Sequence, residues 1–381
     1  MAAPSSLFVG LMSGTSMDGI DGVLVDLAEV DDGRVQLRAH VHHRFEDALA
    51  ERLLALNRPD GVGELHQAAL AGNALARAYA AVVEALLTQA GVGRDAVAAL
   101  GAHGQTVRHA PGLHDGTGYT CQLLSPALLA ELTGIDVVAD LRSRDVAAGG
   151  QGAPLVPAFH RAAFGRPGED TAVLNLGGIA NLTLLGADGS TLGFDCGPGN
   201  VLMDGWCRRH LGTAYDADGR WAAGGRPLPT LLARLRAEPY FAAPPPKSTG
   251  RDLFDLGWLE ACLADPSAEA SDAAAQDVQA TLLELTASVC AEDLRRHAPA
   301  AQRLLVCGGG ARNLALMDRL AARCPRLLVA PTDAAGLPVD QVEAVAFAWL
   351  ARAFVLRRAG NLPAVTGARG PRVLGALYPA G

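Results

Sequence analysis

The chain has 381 residues, of which 50% are hydrophobic and 19% charged, and its formal net charge is −8. A chain of this length is too long for one ordinary hydrophobic core, so we expect two domains. The composition is that of a soluble globular protein. The acidic excess argues against a nucleic-acid partner, which requires a clustered basic surface. Because no run of about eighteen apolar residues is present, we expect no membrane-spanning segment.

The N-terminus and the cysteines favour the cytoplasm. The first residues, MAAPSSLFVG, place no basic segment before their short apolar run, which is not typical of a secretory signal. Seven cysteines without a C-x-x-C pair fit reduced thiols better than a disulfide framework. We therefore expect a cytoplasmic protein.

Residues 7–27, LFVGLMSGTSMDGIDGVLVDL, predict two apolar strands, 7–12 and 23–27, joined by a polar turn. The glycines in this turn allow a close backbone approach, and its Ser, Thr and Asp residues supply hydroxyls and carboxylates. A tight turn of this kind exposes consecutive backbone N–H groups, which bind anions. An ordinary hairpin with a polar tip is the alternative.

Lys247 is the only lysine in the chain, and it follows three prolines. A Walker-A loop requires Gly-Lys-Ser/Thr after a glycine-rich run, so this phosphate-binding loop is excluded. A protein-kinase site, which uses a strand lysine, is equally disfavoured. A nucleotide would therefore have to be held by backbone amides, hydroxyls and a metal.

Residues 34–45 alternate enough to form a third strand of the first sheet, and they carry His40, His42 and His43. These histidines suggest a metal, but along the sequence no carboxylate or further histidine follows at ligand spacing. A half-exposed strand is the alternative that we favour. Residues 64–90 have the apolar spacing of a long helix that ends at Gly91.

Two predicted strands of the first half end in polar residues, where ligand groups of α/β proteins usually project. Residues 97–102 lead to His103 and Gln105, and residues 135–139 lead to Asp140 and Arg142. A plain connecting loop is the alternative for each. A glycine run follows, and the predicted domains are residues 1–140 with 362–381, and residues 141–361.

The second half repeats the opening design. Residues 171–189 predict a strand, a turn at Gly177 and Gly178, and a returning strand. The next strand, residues 191–194, leads to Asp195 and a Gly-Pro-Gly loop, which would hold that carboxylate rigidly at a cleft. A helix-capping role for Asp195 is the alternative.

The late part of the chain predicts a strand at residues 303–307, followed by Gly308, Gly309, Gly310 and a helix that Asn313 can cap. Three glycines between strand and helix would let a flat ring lie against the backbone, or would serve only as a tight turn. Residues 240–250 predict a proline-rich surface loop, and residues 273–297 a long helix.

The order of two hairpins, a carboxylate and a strand–GGG–helix resembles the superfamily of actin-like sugar kinases and heat-shock ATPases. That resemblance implies a two-domain α/β fold of the actin-like ATPase (ribonuclease H-like) type, with a nucleotide cleft between the domains. Six motifs, in family order across nearly the whole chain, are similar to the anhydro-N-acetylmuramic acid kinase family. They are GLMSGTSMDGID (10–21), HGQTVRH (103–109), GGQGAPLVPAFH (149–160), NLGGIANLT (175–183), FDCGPGN (194–200) and CGGGARN (307–313).

The resemblance implies an enzyme of peptidoglycan recycling that uses ATP, Mg²⁺ and water. It would open 1,6-anhydro-N-acetylmuramic acid and phosphorylate the freed 6-hydroxyl. The family's general base falls on Asp195 and takes a proton from the water that attacks the anomeric carbon. The alternatives are a sister kinase for another anhydrosugar such as levoglucosan, a non-enzymatic actin-like ATPase, and a metal hydrolase built on the three histidines.

The resemblance also implies the residues of the site, with Arg142 as our choice for the substrate's lactyl carboxylate. Those implied for ATP are Gly14, Thr15, Ser16, Met17, Asp18, Gly19, Ile20, Asp21, Gly177, Gly178, Gly308, Gly309, Gly310 and Asn313, and the metal candidate is Asp18. Those implied for the sugar are His103, Gln105, Asp140, Arg142, Gly152, Asn200, Asp204 and Glu343. For Asp18, the metal–phosphate network and the sugar both stay open.

Relatives of this kind are often homodimers, so we expect this protein to form a homodimer.

The chain departs from the family pattern in two places. Cys196 stands where the family usually has Thr, which removes a hydroxyl beside the base. The loop at residues 122–125, QLLS, replaces a Gln-x-Gly-Asp or Gly-Asn pattern, which bears on substrate preference but not on the fold.

Overall fold

The computed structural model of the protein describes residues 5–14, 17, 19–58, 61–250, 253–268 and 273–381. The chain forms two compact units. Unit 1 is Met1–Ala163 with Gln341–Gly381, and unit 2 is Phe164–Asp340.

Unit 1 begins with the predicted hairpin and third strand, but the second strand of the hairpin covers Gly19–Asp26 and not the predicted residues 23–27. Helices that alternate with short strands follow. Its elements up to the boundary are β1 (Leu7–Met12), β2 (Gly19–Asp26), β3 (Gln36–Arg44), α1 (Asp47–Ala55), α2 (Glu64–Ala90), β4 (Val97–Ala102), β5 (Gln105–Pro111), β6 (Gly118–Leu123), α3 (Pro126–Thr133), β7 (Val137–Ala139), α4 (Ser143–Ala147) and α5 (Val156–Phe164).

Unit 2 contains a second run of strands and its own helices, and the last elements of the chain return to unit 1. Unit 2 has β8 (Thr171–Leu176), β9 (Ile179–Leu185), β10 (Thr191–Pro198), α6 (Val201–Leu211), α7 (Arg220–Ala223), α8 (Pro229–Arg236), α9 (Leu256–Ala264), α10 (Ala275–His297), β11 (Arg303–Cys307), α11 (Leu314–Arg323) and β12 (Leu328–Pro331). The returning elements are α12 (Val342–Val355), α13 (Pro363–Thr366) and β13 (Ala376–Tyr378).

The two main sheets share the order of five strands, and the sheet of unit 1 has one strand more. In unit 1 the order is β3-β2-β1-β4-β7-β13, and in unit 2 it is β10-β9-β8-β11-β12. In each sheet the first strand pairs antiparallel with the second and parallel with the fourth, and the second pairs antiparallel with the third. This arrangement confirms the predicted internal repeat and the α/β fold of the ribonuclease H-like type.

Helix α12 lies directly against β1 and β4 because two strand residues have no side chain. A Cβ atom on Gly10 would lie 1.8 Å from the carbonyl oxygen of Ala344, and one on Gly101 would lie 2.0 Å from that of Phe347. The helix therefore belongs to the core of unit 1. The predicted domains, which changed after residues 140 and 361, differ from this division because α4, α5 and α12 group with the first sheet.

Helix α2 packs against β2 and β3 and ends at Gly91, as the sequence predicted, and Gly91 has the left-handed conformation common after a helix. By length and composition it is apolar enough to cross a membrane, but half of its most apolar window is buried inside the protein. Its buried residues, among them Leu75, Tyr79 and Leu86, join the core of unit 1. These are the features of a core helix. The hairpin of β5 and β6, by contrast, was not predicted.

Replacing Gly101 by alanine should destabilise the protein by about 1–3 kcal/mol, the usual effect of overpacking. The added methyl group would meet helix backbone, which cannot move aside as a flexible side chain can. Urea denaturation followed by circular dichroism measures the change. The matched control is Gly93→Ala, because Gly93 has a φ of −80° and no neighbouring heavy atom within 4 Å of its ideal Cβ. Equal denaturation midpoints for the two variants would contradict this packing.

Candidate active site

Asp195 lies inside β10, not at its end, since the strand continues to Pro198. The pairing of β10 with β9 shifts its register between Asp195 and Gly197. Such a bulge changes the direction of a strand and re-aims the side chains beside it. The bulge therefore presents a partly buried carboxylate next to the Gly-Pro-Gly segment that the sequence singled out.

The loop at residues 247–249 holds Asp195 by its backbone and by one carboxylate oxygen. Oδ2 accepts hydrogen bonds from Ser248 Oγ and from the Thr249 backbone N–H, each at 3.0 Å. The Asp195 backbone N–H donates to the Lys247 carbonyl oxygen at 3.1 Å, and Tyr240 Oη donates to the Asp195 carbonyl oxygen at 2.9 Å. Among the described residues, Oδ1 has no hydrogen-bond partner and stays available as an acceptor.

Burial raises the pKa of the Asp195 carboxyl above its ordinary value. The hydrogen bonds from Thr249 and Ser248 and the charge of Lys247 oppose this effect without cancelling it. A raised pKa makes the ionised carboxylate a stronger proton acceptor. Asp195 therefore has both the free oxygen and the basicity of a general base.

Lys247 is buried, although the sequence predicted a surface loop at residues 240–250. Its Nζ lies 3.1 Å from Oδ2 of Asp293, and the two side chains are 3% and 5% exposed. The ammonium also lies 5.6 Å from the centre of the Phe194 ring and 5.2 Å from that of Tyr240. Sequence reasoning noted this lysine but missed its burial and the contact of its loop with Asp195; the signal was a single lysine between three prolines and Ser-Thr-Gly.

The turn at Gly177 and Gly178 joins β8 to β9, as predicted, and is tied to the start of α6. The Gly177 carbonyl accepts from the Asn200 N–H at 2.8 Å, and the Gly178 carbonyl accepts from the Gly199 N–H at 2.9 Å. A Cβ on Gly177 would have a single neighbour within 4 Å, the Ile179 carbonyl oxygen at 3.5 Å. The turn therefore leaves open space at this glycine.

The three consecutive glycines after β11 have different surroundings. Gly308 has a φ of +79°, and a Cβ there would lie 2.4 Å from Asn175 Oδ1. A Cβ on Gly310 would lie 2.5 Å from Leu176 Cβ. At Gly309, which is exposed, the nearest atom to a Cβ would be 4.0 Å away. The first and third glycines thus permit close packing, and the second leaves a backbone surface on which a flat ring would fit.

Asn200, predicted on the sugar side, lies beside these glycines in unit 2. Its Nδ2 donates to the Leu176 carbonyl oxygen at 2.9 Å, and its side chain neighbours Gly310. Asp204 follows on the first turn of α6 and is partly buried. Asn313 caps α11 as the sequence predicted, because its Oδ1 accepts from the Leu316 N–H at 3.0 Å.

In unit 1, His103 links the end of β1 to Arg142. Its Nδ1 lies 3.1 Å from the Ser13 carbonyl oxygen, so that nitrogen carries the proton and donates. Its Nε2 accepts from Nε and Nη2 of Arg142, at 3.1 and 3.0 Å. Burial, with the charge of Arg142, lowers the pKa of His103 to about 3. The imidazole is therefore neutral and its tautomer is defined by its two neighbours.

Arg142 is surrounded by other predicted sugar-side residues. Its Nη1 donates to the Gly152 carbonyl oxygen at 2.8 Å, and Gly152 has a φ of +68°. Burial lowers the pKa of Arg142 to about 10, while the carboxylates of Glu343 and Asp145 act to raise it. Asp140 is exposed and has a φ of +53°. The structure thus groups Arg142 with His103, Gly152 and Glu343.

Gln105 connects the same region to the first hairpin. Its Nε2 donates to the Gly14 carbonyl oxygen at 3.1 Å, and that carbonyl also accepts from the Met17 N–H at 3.2 Å. The side chain is fully buried, and within the described part of the chain its Oε1 has no hydrogen-bond partner. An unpartnered buried acceptor is costly, so this oxygen is suited to a ligand donor.

The predicted phosphate residues Thr15, Ser16 and Asp18 lie outside the described residues. Gly19 opens β2, where a Cβ would lie 2.4 Å from the His43 carbonyl oxygen. Ile20 is buried in the core and offers a ligand only its backbone.

Asp21 corrects the view that the strand histidines have no carboxylate nearby. It pairs across the sheet with His42, and its Oδ1 lies 2.9 Å from His42 Nδ1 and 3.4 Å from His40 Nε2. Burial raises the pKa of Asp21, but the hydrogen bonds from His40 and His42 outweigh it and lower the pKa. In the described ranges, no group of three or more His, Cys, Asp or Glu residues could hold a metal ion.

Two sheets that share one topology, each starting from an antiparallel hairpin, place this protein in the class of ribonuclease H-like α/β proteins. The sequence profile of one family in this class, described as anhydro-N-acetylmuramic acid kinase, matches residues 6–380. The chain belongs to this family, and it is a kinase.

Its relatives match along nearly the whole chain. An anhydro-N-acetylmuramic acid kinase of Variovorax paradoxus (strain S110) is 62% identical over 98% of this chain and 99% of its own. One from Bordetella petrii is 60% identical over 100% of this chain and 98% of its own. A solved structure of the activator of the 2-hydroxyisocaproyl-CoA dehydratase from Clostridium difficile covers 90% of this chain and 92% of its own, with 13% identity and a TM-score of 0.45.

His103→Asn should make the stability of the protein less sensitive to acid. In the unfolded chain the histidine binds a proton near its ordinary pKa of 6.5, whereas in the folded protein it does so only near 3. Stability is therefore lost as the pH falls from 6.5 towards 3, by at most about 1.4 kcal/mol per pH unit for this one group.

Urea denaturation at a series of pH values measures the slope. The control is His114→Asn, since His114 is exposed and its φ of 64° suits asparagine. If the His103 variant loses stability with acid as steeply as the parent and the control do, His103 is not the buried neutral group described above.

Proposed function

We propose that the protein is an ATP-dependent kinase that hydrolytically opens 1,6-anhydro-N-acetylmuramic acid and phosphorylates its 6-hydroxyl. The products are N-acetylmuramic acid 6-phosphate and ADP, and the reaction belongs to peptidoglycan recycling. Family membership supports the sugar. The observation that carries the chemistry is the carboxylate of Asp195, which is bound at Oδ2 and open at Oδ1.

In the proposed reaction, Oδ1 of Asp195 accepts a proton from water while the water oxygen attacks the anomeric carbon. The bond from that carbon to the bridging oxygen breaks, and its electron pair stays on the oxygen, which remains attached to C6. This oxygen then attacks the γ-phosphorus of ATP, and ADP leaves. A general base of this kind typically contributes about a hundredfold to ten-thousandfold.

The ATP side of the proposal rests on backbone surfaces. Open space at Gly177 and at Gly309 fits a phosphate chain and a flat base, respectively. The one lysine of the chain is engaged with Asp293, so positive charge at the phosphates has to come from elsewhere. Mg²⁺, when bound, would neutralise phosphate oxygens, with Asp18 as its proposed ligand.

The sugar side of the proposal rests on the polar residues of unit 1. Gln105 would accept a hydrogen bond from the sugar through its unpartnered Oε1. Arg142 remains our proposal for the lactyl carboxylate, although His103 and Gly152 already engage part of its guanidinium. The proposed set of sugar-side residues is completed by Asp140, Glu343, Asn200 and Asp204. For Asn200, the contacts with Leu176 and Gly310 favour a place on the nucleotide side.

Family membership favours this reaction over a levoglucosan-type kinase and over a non-enzymatic ATPase. The described residues contain no metal-binding group of the kind that a hydrolase built on His40, His42 and His43 would need.

We further propose a cytoplasmic homodimer that binds neither nucleic acid nor membranes. The net charge of −8 supports the absence of a nucleic-acid partner. Light scattering coupled to gel filtration tests the oligomeric state.

Asp195→Asn should lower the rate of sugar phosphorylation by at least about a hundredfold, because the amide cannot take the proton from water. Folding and ATP binding should be unchanged, since Asn keeps an oxygen for the two donors at Oδ2. ADP release coupled to the anhydrosugar measures the rate, and isothermal calorimetry measures ATP binding. The control is Asp318→Asn, an exposed carboxylate on α11 in the same unit.

Near-parent turnover by the Asp195 variant would remove this residue from the mechanism. Parallel assays with levoglucosan test the substrate, and transfer to levoglucosan alone would overturn the proposed sugar.

A further inference from the structure

We propose that Lys247 is a positioning residue for the general base. Its buried ammonium anchors the loop at residues 247–249, and this loop binds Oδ2 of Asp195 and leaves Oδ1 open to water. The inference deepens the proposed function and rests on the proposed role of Asp195.

The anchor is the ion pair between Lys247 and Asp293 on α10. Nζ lies 3.1 Å from Oδ2 and 3.4 Å from Oδ1 of Asp293, and both side chains are almost completely buried. The rings of Phe194 and Tyr240 lie close enough to the ammonium for cation–π attraction. A buried ammonium is costly away from such partners, so its position is strongly defined.

The anchor acts on Asp195 from two sides. The Lys247 carbonyl accepts from the Asp195 N–H, and the next two residues, Ser248 and Thr249, supply both donors to Oδ2. On the other side, the ammonium lies against Phe194, which directly precedes Asp195 in β10. A shift of the lysine would therefore move the donors relative to the carboxylate that they orient.

The lysine also supplies charge. Among the described residues, the charged and titratable groups around Asp195 and its anchor are Lys247, Asp293, His297, Arg296, the Tyr240 hydroxyl and the thiols of Cys196 and Cys290. Removing the ammonium takes away the positive charge and leaves the Asp293 carboxylate without its lysine. Loss of the positive charge disfavours ionisation of Asp195, so it raises the pKa of this carboxyl and moves the acid limb of the activity profile to higher pH.

Lys247→Met should lower kcat with anhydro-N-acetylmuramic acid, ATP and Mg²⁺ by about ten- to a hundredfold, the range expected when a reacting group is displaced. The KM for ATP should stay close to that of the parent. The acid limb of kcat against pH should move upward, and Lys247→Arg, which keeps the charge, should restore part of both effects. A lysine that only stabilises the fold would not move the acid limb.

Two further variants keep the test decisive if Lys247→Met folds poorly. Lys247→Met combined with Asp293→Asn leaves no unpaired charge, and it should fold while retaining the low kcat. Ser248→Ala removes one donor to Oδ2 from an exposed side chain, so its melting temperature should be unchanged while kcat falls and the acid limb moves upward.

The matched control is Glu284→Gln. Glu284 is also buried on α10 and forms an ion pair, with Arg319 and Arg323, but has no contact with the Asp195 loop among the described residues. It should lose stability and keep the parent's kcat and acid limb.

Parent-like kcat and acid limb in both Ser248→Ala and the double variant, with Asp195→Asn inactive, would overturn this inference and leave the proposed function intact. An upward shift of the acid limb in Glu284→Gln equal to that of the lysine variants would overturn it as well. Activity of Asp195→Asn would instead overturn the proposed function itself.

Discussion

Two hydrogen bonds to Oδ2 of Asp195 divide the carboxylate into a bound oxygen and a free one, and the chemistry that we propose for unit 2 depends on this division. A freely rotating carboxylate would present either oxygen in many directions. Here the bulge in β10 sets the position of the residue, and the loop at residues 247–249 sets its orientation. Burial raises the pKa of the carboxyl, while the hydrogen bonds from the two donors stabilise the ionised form and limit this rise. The group can therefore accept a proton without a large rearrangement.

In unit 1, burial shifts the pKa of a functional candidate in the opposite direction, because the buried group is a base and not an acid. His103 is kept neutral by burial and by the adjacent Arg142, and its two nitrogens have separate hydrogen-bonding roles. Ser13 extends this network, because its Oγ lies 3.0 Å from Tyr79 Oη and donates to the Gly104 carbonyl oxygen at 2.9 Å. The end of the first strand, the end of β4 and helix α2 are thereby joined by polar contacts inside the core. The turn of the first hairpin therefore starts at Ser13, a residue held by hydrogen bonds to the core.

The sequence was sufficient for the features that local rules determine. Apolar periodicity predicted the hairpin of β1 and β2, the repeat that starts at β8, and helix α2 with its end at Gly91. It was not sufficient for contacts between distant residues. Lys247 contacts Asp293, 46 positions away, and nothing local distinguishes a buried lysine after three prolines from an exposed one. Similarly, the carboxylate of Asp21 beside His40 and His42 follows from strand register, which the spacing along one strand does not contain.

The division into units shows the same limit. The sequence prediction placed a change of domain near the glycine run that follows residue 140, with a return at residue 362, whereas α12 packs on the first sheet through close backbone contacts at Gly10 and Gly101. A residue without a side chain gives no sign in the sequence of which helix will lie against it. The separation of the Asp195 carboxylate oxygens into bound and free is likewise a property of the folded loop alone.

The most direct test of the account is a high-resolution structure of the protein with the anhydrosugar and a non-hydrolysable ATP analogue. It should show an ordered water about 2.6–3.2 Å from Oδ1 of Asp195 and next to the anomeric carbon, the distance at which a general base takes a proton. Oδ2 should remain bound to Ser248 and Thr249. A carboxylate that has turned away from these donors, or a sugar whose anomeric carbon has no water beside Asp195, would contradict the account.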